Sequence, residues 1–250
     1  MHQIRVIPCL LLKNKGLVKT INFRDPTYVG DPINAVRIFN DKEADELLFI
    51  DIEASRKKRG PDFDFISTIT REAFMPFGYG GGVKTLDDIK RLLHIGIEKI
   101  SINSQAIKDP DFVKRASEIC GSQSVVVSID VKKDSHGNHK LYDYLNGKCT
   151  NIDPVEFAVT MEVKGAGEIL LNSVDKDGTM SGYDLETIHK VSKSVDIPVI
   201  ALGGAGKTED FIEAIKNGAS AVAAGSFFVF YGKNRAVLIS YPDKKDFIFE

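Results

Sequence analysis

The sequence has no tryptophan, only three cysteines and no long apolar run. The cysteines, Cys9, Cys120 and Cys149, are odd in number and lack metal-type spacing. This predicts reduced thiols, as in a cytoplasm, rather than a disulfide framework. No apolar run approaches the roughly 20 residues that cross a membrane. The short apolar N-terminus, 1–12, indicates a strand rather than a signal peptide, so we expect a cytoplasmic protein without a membrane segment.

The charge balance lacks an excess of either sign. Lysines and arginines number 33 against 35 acidic residues, a net charge of −2. Such a balance gives no broad attraction for nucleic acid or a membrane surface, so any anion binding has to be local. None of the five histidines is spaced with cysteines or carboxylates as a metal site requires, and we predict no metal and no cofactor.

Short β-rich apolar runs alternate with amphipathic, charged segments along the 250 residues. Nearly continuous apolar runs such as 47–52 and 125–130 are typical of strands buried on both faces of a parallel sheet. Alternation indicates an α/β fold, and eight strands in a chain of about 250 residues favour a (β/α)8 TIM barrel, one domain over 1–250. Strands are predicted at 4–10, 47–52, 75–79, 98–103, 124–131, 167–172, 198–202 and 220–224, and helices at 32–42, 63–72, 85–95, 110–118, 152–163, 184–194 and 208–217.

An internal repeat supports the barrel. Segment 81–104 aligns without gaps with segment 203–226, and the same offset brings Glu46 onto Glu168. A two-fold repeat of (β/α)4 units fits a barrel better than an open sheet. Three regions lie outside the regular pattern: a long loop at 14–31 that we interpret as an active-site lid, a small hairpin at 132–150 that turns at 136–138, and a C-terminus after 230 without a helical period.

Two Gly-Gly motifs are the strongest chemical signal. Each follows a predicted strand and precedes a predicted helix, where glycine allows close backbone approach and helix N–H groups can hold a phosphate. Each has a small polar residue one βα unit later. The alternative is that these glycines serve only tight turns. Two related motifs favour two phosphate sites, formed by Gly81, Gly82, Asn103 and Ser104 in one half and by Gly203, Gly204, Gly225 and Ser226 in the other.

Three aspartates, Asp51, Asp130 and Asp177, follow predicted strands. Carboxyl ends of barrel strands carry the catalytic face, so each can act as a general acid or base. Their alternative role is to cap turns and helices. Asp130 favours the functional interpretation because it follows an apolar run and has no helix to cap.

Four charged residues stand instead at predicted strand starts, at the opposite end of the barrel. They are Arg5, Glu46, Lys99 and Glu168. Two cations and two anions there could form a closed ring of ion pairs. Solvated surface charge of little energetic value is the alternative, and these residues alone do not separate the two.

Nearly the whole chain resembles the cyclase subunit of imidazole glycerol phosphate synthase. The similarity runs through RVIPCL, ADELLFIDI, GGGVKTLDDIKRLL, KISINS, VVVSID, GAGEILLNS, DKDGT and IPVIALGGAG. The resemblance implies a two-fold repeat barrel, a lyase of the histidine-biosynthesis type, and a glutaminase subunit docked at the N-terminal face that supplies ammonia through the barrel.

The resemblance also implies roles for individual residues. Phosphate binding falls to Gly82, Asn103 and Ser104 at one site and to Gly178, Gly204, Gly225 and Ser226 at the other. An ammonia gate falls to Arg5, Glu46, Lys99 and Glu168, and catalysis to Asp130, Asp51, Lys19 and Asp177.

The first strand departs from the family pattern. The family has C-L-D-V-K, in which the aspartate is a principal acid/base, whereas this chain has Leu11 at that position. Leu202, Asn172, Gly78 and Glu53 replace family residues with hydroxyl side chains. The anion-site and gate residues match, so the alteration concerns the catalytic face.

This pattern resembles paralogous barrel subunits linked to acetamidino groups on bacterial surface polysaccharides, which serve nucleotide-sugar substrates beside a third, amidotransferase protein. A histidine-pathway cyclase is a second hypothesis, and a non-catalytic scaffold that activates a glutaminase and passes ammonia is a third. An unrelated phosphosugar isomerase has only the anion sites in its favour.

Overall fold

Eight parallel strands close into a barrel in the computed structural model, which describes residues 2–243, 248 and 249. Each strand pairs with its neighbour in sequence, and the last pairs with the first, with Ala221 opposite Arg5. The predicted (β/α)8 barrel is confirmed. The strands are β1 (Arg5–Lys13), β2 (Leu47–Asp51), β3 (Phe77–Gly80), β4 (Lys99–Ile102), β5 (Val125–Lys133), β6 (Glu168–Ser173), β7 (Val199–Leu202) and β8 (Ala221–Ala224).

Seven helices cover the barrel, and each follows one of the first seven strands. Within the described residues no helix combines the length and apolarity needed to cross a membrane. Two short helices, Ser104–Lys108 and Ser226–Val229, follow β4 and β8. The covering helices are α1 (Pro32–Asp41), α2 (Phe63–Thr70), α3 (Leu86–His94), α4 (Asp111–Cys120), α5 (Pro154–Val163), α6 (Leu185–Ser192) and α7 (Thr208–Lys216).

The internal repeat has a visible physical basis at the start of α3 and α7. Asp88 accepts hydrogen bonds from the backbone N–H groups of Lys84 and Thr85 at 3.0 and 2.9 Å. Asp210, its repeat partner, accepts from those of Gly206 and Lys207 at 2.8 and 3.1 Å. Both carboxylates therefore satisfy N–H groups that a helix start leaves unpaired.

Apolar side chains fill the barrel interior and a second layer between strands and helices. The interior is narrow: a Cβ at Gly78 would lie 2.9 Å from Leu48 Cδ1. The interior cluster consists of Ile7, Cys9, Leu48, Val126, Leu170, Ile200, Leu202, Ala221 and Ala223.

The segment predicted as a loop at 14–31 is instead a β-hairpin, Gly16–Ile21 with Arg24–Gly30, and the loop prediction is wrong. Its first strand pairs with the end of β1, which buries Leu17. The hairpin turn is held down because Asn22 donates its backbone N–H to the Asp177 carbonyl at 2.9 Å and its amide to the Val174 carbonyl at 3.0 Å.

The hairpin predicted at 132–150 is confirmed. Strand His139–Asp143 runs antiparallel to the end of β5, with His139 opposite Lys133. Asp134 closes the turn by accepting hydrogen bonds from the backbone N–H groups of His136 and Asn138 at 2.8 and 2.9 Å.

The last βα unit differs from the others. After Ser226–Val229 the described residues continue as an extended segment with a small sheet, Phe230–Tyr231 with Ala236–Val237. Tyr241 seals this side of the barrel: its ring stacks on Phe228 at 5.4 Å, and its hydroxyl donates to the Val6 carbonyl at 3.0 Å. The Tyr241 side chain therefore covers a part of the barrel wall that a helix covers in the other βα units.

Truncating Tyr241 should cost more stability than its position near the C-terminus suggests. We expect Tyr241→Ala to lower the free energy of unfolding by roughly 3 kcal/mol, because a buried ring leaves a cavity. Tyr241→Phe should lose about 1 kcal/mol, the typical value of a hydrogen bond. Urea unfolding measures both. Tyr231→Ala, at an exposed ring, is the control, and an equal loss there would contradict the assignment.

Candidate active site

A cavity of about 790 Å³ opens at the carboxyl ends of the strands. Its floor is formed by residues toward the carboxyl ends of β1 to β7. The hairpin Gly16–Gly30 and the loops after β2, β3, β4 and β5 form its rim. This is the end at which barrel enzymes carry out chemistry. The floor includes Cys9, Leu11, Asp51, Asp130, Asn172 and Leu202.

Asp130 is the most perturbed carboxyl group of the floor. It accepts hydrogen bonds from the amides of Asn172 and Asn103 at 3.1 and 3.0 Å. Burial raises the pKa of Asp130 to about 7, assisted by the charge of Asp177 and opposed by the two amides. A carboxyl group with a pKa near neutrality can both accept and donate a proton, which suits a general acid/base.

Asn172 was not among the predicted site residues. Parallel register places it beside Asp130 on the neighbouring strand, and its carbonyl oxygen is buried without a hydrogen-bond partner among the described residues. Its position at the carboxyl end of an apolar run could have identified Asn172 from the sequence, because the same criterion identified Asp130.

Asp51 is more firmly engaged than Asp130. It receives the Arg59 guanidinium at 2.6 Å and the backbone N–H groups of Glu53 and Ala54 at 2.9 and 3.0 Å. Asp51 therefore both caps the turn after β2 and lines the cavity. Sequence reasoning missed Arg59, since a charge eight residues beyond a strand carries no periodic signal.

Lys19 and Asp177 belong to the hairpin and to the loop after β6. Both line the cavity, and the Thr20 hydroxyl donates to Asp177 at 2.8 Å. The Lys19 ammonium group lies directly against Gly225, in space that a side chain at that position would fill. The hairpin therefore carries a buried cation over the loop after β8.

Apolar side chains occupy the floor where the family pattern has polar ones. Leu11 and Leu202 line the cavity beside Cys9 and Ile50. The thiol offers no alternative nucleophile, because burial raises the pKa of Cys9 to about 12 and keeps it neutral.

The two predicted anion sites differ in access. Gly82, Asn103 and Ser104 line the cavity, whereas Gly178, Gly204, Gly225 and Ser226 do not. A Cβ at Gly178 would collide with the Thr20 carbonyl, because the hairpin packs on this loop. The Ser226 hydroxyl is buried and has no hydrogen-bond partner among the described residues.

The Gly-Gly motifs have a structural reason besides any ligand. Gly81 and Gly203 adopt φ of 111° and 93°, and a Cβ at either would collide with the backbone carbonyl of the last residue of β2 (Asp51) or β6 (Ser173). Glycine is required there by close packing alone. Phosphate binding by these motifs therefore stays a prediction.

The four charged residues at the strand starts come together at the other end of the barrel. Arg5 bridges Glu46 at 3.3 Å and Glu168 at 2.8 Å, and Lys99 contacts Glu168 at 3.3 Å. No ion pair joins Lys99 to Glu46 within the described residues, so the expected closed ring is an open chain of three pairs. Lys99 instead donates to the Gln123 carbonyl at 2.7 Å.

Burial makes this chain of charges unlike a solvated surface group. Glu46 and Glu168 are 5% and 6% exposed. Burial raises the pKa of Glu46, against the attraction of Arg5. One carboxylate oxygen of Glu168, Oε2, is buried without a hydrogen-bond partner among the described residues. The alternative of simple surface charge therefore does not describe the site.

Residues 5–235 match the sequence profile of the histidine biosynthesis protein family. The chain belongs to this family. It is a relative of the HisF-type subunits of imidazole glycerol phosphate synthase.

Curated members of the histidine biosynthesis family match over nearly their full length. A Pseudomonas aeruginosa protein, provisionally named imidazole glycerol phosphate synthase subunit hisF2, is 50% identical over 96% of each chain. A Vibrio vulnificus protein, provisionally named subunit hisF3, is 45% identical over 98% of this chain and 95% of its own. Subunit HisF of a Hydrogenobaculum species is 46% identical over 90% of each. Identity alone does not separate these differently named members.

The folded protein should lose stability as Asp130 ionises. Its pKa of about 7 lies above the ordinary value of 3.8, so between these values the folded state holds a proton that the unfolded chain has released. The contribution of Asp130 to stability is therefore fully present below about pH 4 and is lost as pH rises through about 7. We expect Asp130→Asn to gain roughly 1–3 kcal/mol relative to wild type between pH 5 and 8.

Urea unfolding at several pH values measures this difference. Asp87→Asn, at an exposed position of α3, is the matched control and should show a constant offset. A pH-independent difference for Asp130→Asn would exclude a raised pKa.

Proposed function

We propose that this chain is the ammonia-using barrel subunit of a glutamine amidotransferase complex, with Asp130 as its acid/base. The observation that carries the proposal is the buried Asp130, held by two amides at the cavity floor with its pKa at about 7. Ammonia chemistry needs a group that takes a proton from the attacking nitrogen and returns one to a leaving oxygen.

The opposite end supports an entry route for ammonia. Arg5, Glu46, Lys99 and Glu168 surround the barrel end with buried charge, and the free Glu168 oxygen can accept a hydrogen bond from a passing N–H donor. Above them the interior is apolar. Neutral ammonia can enter such an interior, whereas ammonium would lose its hydration at high cost. A glutaminase subunit at this N-terminal face would be the source.

Leu11 determines which branch of the family we favour. Leucine cannot transfer a proton, so the cavity lacks a second acid/base on β1 and presents apolar surface with Leu202. We favour a paralogue that serves acetamidino-sugar synthesis in surface polysaccharide biosynthesis, with a phosphorylated or nucleotide-sugar substrate at Gly82, Asn103 and Ser104. Lys19, Asp51 and Asp177 would then position that substrate rather than exchange protons with it.

A second candidate function rests on the same apolar floor. With Leu11 and Leu202 in place, the barrel could pass ammonia onward as a scaffold and leave the reaction to another protein. A histidine-pathway cyclase that relies on Asp130 alone is the remaining alternative.

Assays with supplied ammonium separate these functions. We expect conversion of the histidine-pathway intermediate to be weak and Leu11→Asp to raise it by at least tenfold, because a second acid/base is restored. Leu11→Asn is the control: it adds polarity without a proton donor and should not raise it. Robust conversion by wild type would exclude the paralogue.

The role of Asp130 needs its own test on nucleotide-sugar candidates. We expect Asp130→Asn to abolish ammonium-dependent turnover while glutaminase stimulation persists. If product formation with the complete complex is unaffected, the scaffold function replaces the proposal.

Altering the charged residues at the strand starts should lower turnover with glutamine and leave turnover with ammonium salts nearly unchanged. We expect Lys99→Met to lower glutamine-dependent turnover by about tenfold, because Glu168 loses one of its two cations, while turnover with ammonium salts stays within twofold. Lys114→Met, on an exposed position of α4, is the control. Equal loss with both sources would argue against an entry route.

A further inference from the structure

The two amides that hold Asp130 are not equivalent. Asn103 donates its side-chain N–H groups to Oδ2 of Asp130 and to the Ser128 carbonyl, each at 3.0 Å. Turning this amide over would lose both hydrogen bonds and place its oxygen against two acceptors. The amide nitrogen of Asn172 makes one hydrogen bond within the described residues, to Oδ1 of Asp130 at 3.1 Å. The backbone therefore fixes the orientation of Asn103, whereas that of Asn172 depends on Asp130 alone.

The side-chain oxygen of Asn172 has no donor to satisfy it. It is buried and without a hydrogen-bond partner in the described part of the chain. Its neighbour on β7 is Leu202, whose side chain has no donor. A Cβ at Gly203 would lie 2.9 Å from this oxygen and 2.7 Å from the Ser173 carbonyl oxygen, so both border the same small space. An unsatisfied buried acceptor is costly, so this orientation is favoured only while an ionised Asp130 accepts the N–H bond.

Protonation of Asp130 reverses what its partners must supply. A carboxylate needs donors, whereas a carboxylic acid carries a hydroxyl that needs an acceptor. A half-turn of an amide exchanges its NH2 group and its oxygen with little change of shape. In the turned orientation the Asn172 oxygen would accept from the Asp130 hydroxyl, and its NH2 group would lie near the Ser173 carbonyl. Because Asn103 continues to donate to Oδ2, the proton belongs on Oδ1.

We infer that Asn172 is a positioning residue whose amide turns over with the protonation state of Asp130, and that Oδ1 of Asp130 carries the exchanged proton. This inference rests on the proposed function, in which Asp130 is the acid/base. An N–H bond of the attacking nitrogen breaks as the O–H bond forms on Oδ1, and Asn172 turns to accept from that hydroxyl. Return of the proton to a leaving oxygen breaks the O–H bond, and the amide turns back.

The titratable groups that interact electrostatically with Asp130 come from three elements. They are Cys9 on β1, Tyr144 in the hairpin after β5 and Asp177 after β6. Burial raises the pKa of Cys9 to about 12 and also raises the pKa of Tyr144, so both are neutral near pH 7. Asp177 adds negative charge, and Lys19 of the hairpin Gly16–Gly30 lines the same cavity.

Charged groups on the remaining walls do not bond to this pair of side chains. Asp51 is held by Arg59 at 2.6 Å. Among the described residues, none of the charged groups of the cavity hydrogen-bonds the side chain of Asn172 or Asp130. Turning of the amide therefore reports on Asp130 itself. The exposed cations of the rim, on the loops after β2, β3 and β4, are Arg56, Lys58, Lys84 and Lys108.

Carboxyl titrations of the full chain, followed by carbon NMR with labelled aspartate, test the inference. We expect Asn103→Leu to raise the pKa of Asp130 by at least about 1, because a fixed donor favours only the carboxylate. Asn172→Leu should change it by less than about half as much, since a turning amide serves both forms. Asn172→Thr, whose hydroxyl also donates or accepts, should leave it unchanged. Equal upward shifts for the two leucine variants would make Asn172 a fixed donor and overturn the inference.

The wild-type protein gives a readout that does not depend on how a variant folds. Below the midpoint of the Asp130 titration, near pH 7, the NH2 protons of Asn172 should approach the α-protons of Gly203, and above it they should not. Nuclear Overhauser effects measure this proximity, and Asn172→Thr assigns the signals. The NH2 protons of Asn103 are the control and should keep their contacts throughout. Unchanged contacts of Asn172 across the titration would exclude the turning amide.

Turnover with supplied ammonium separates a positioning role from a purely structural one. We expect Asn172→Leu to lower kcat about tenfold with KM within about twofold, and Asn172→Thr to recover most of the loss. An unchanged kcat in Asn172→Leu would overturn the positioning role. If the amide turns over but Asp130→Asn leaves turnover of the complete complex intact, the proposed function fails. If the amide does not turn while Asp130→Asn abolishes turnover, only this inference is wrong.

Discussion

Closure of the parallel sheet is the constraint on which the rest of the molecule depends. Pairing of β8 with β1 leaves the eight barrel strands without a free edge and places their ends at two opposite ends of the barrel. Strand starts lie at one end of the barrel and strand ends at the other, so the inward-pointing side chains of each set come together. Buried ion pairs and the acid/base cavity are therefore held at opposite ends of one apolar interior.

That interior also sets the chemistry of its carboxyl end. Asp130 lies within the buried stretch 125–131 of β5, so its negative charge is poorly solvated and its pKa rises to about 7. Two amides limit that rise and fix the carboxyl group in place. Leu11 and Leu202 add apolar surface nearby, which keeps Asp130 the floor carboxyl best suited to proton transfer.

The sequence predicted the barrel well because its signals are local. Buried strands produce apolar runs, and the carboxyl ends of those runs located Asp51 and Asp130 beforehand. The hairpin at 16–30 was predicted as a loop because glycines, Pro26 and charged residues surround the short buried run 17–20, which shows no strand-like alternation. Arg59 and Asn172 were missed for a different reason: their roles come from contacts across loops and neighbouring strands. The open ion-pair chain likewise depends on which rotamer Lys99 adopts.

Exposed cations lie on one side of the cavity mouth, whereas the other side carries Asp177, the buried Lys19 and Asp130, whose pKa is about 7. Loops after β2, β3 and β4 contribute the cations Arg56, Lys58, Lys84 and Lys108, while the strand ends of β5 and β6 lead to Asp130 and Asp177. A field directed across the mouth would turn an elongated ligand before any contact is made, with its anionic end toward the first half of the repeat. The two halves share one backbone arrangement but differ in charge. The cavity is therefore electrostatically asymmetric, which the two-fold repeat alone would not make it. Such a field would bring the anionic end of a substrate to the cavity before its other end.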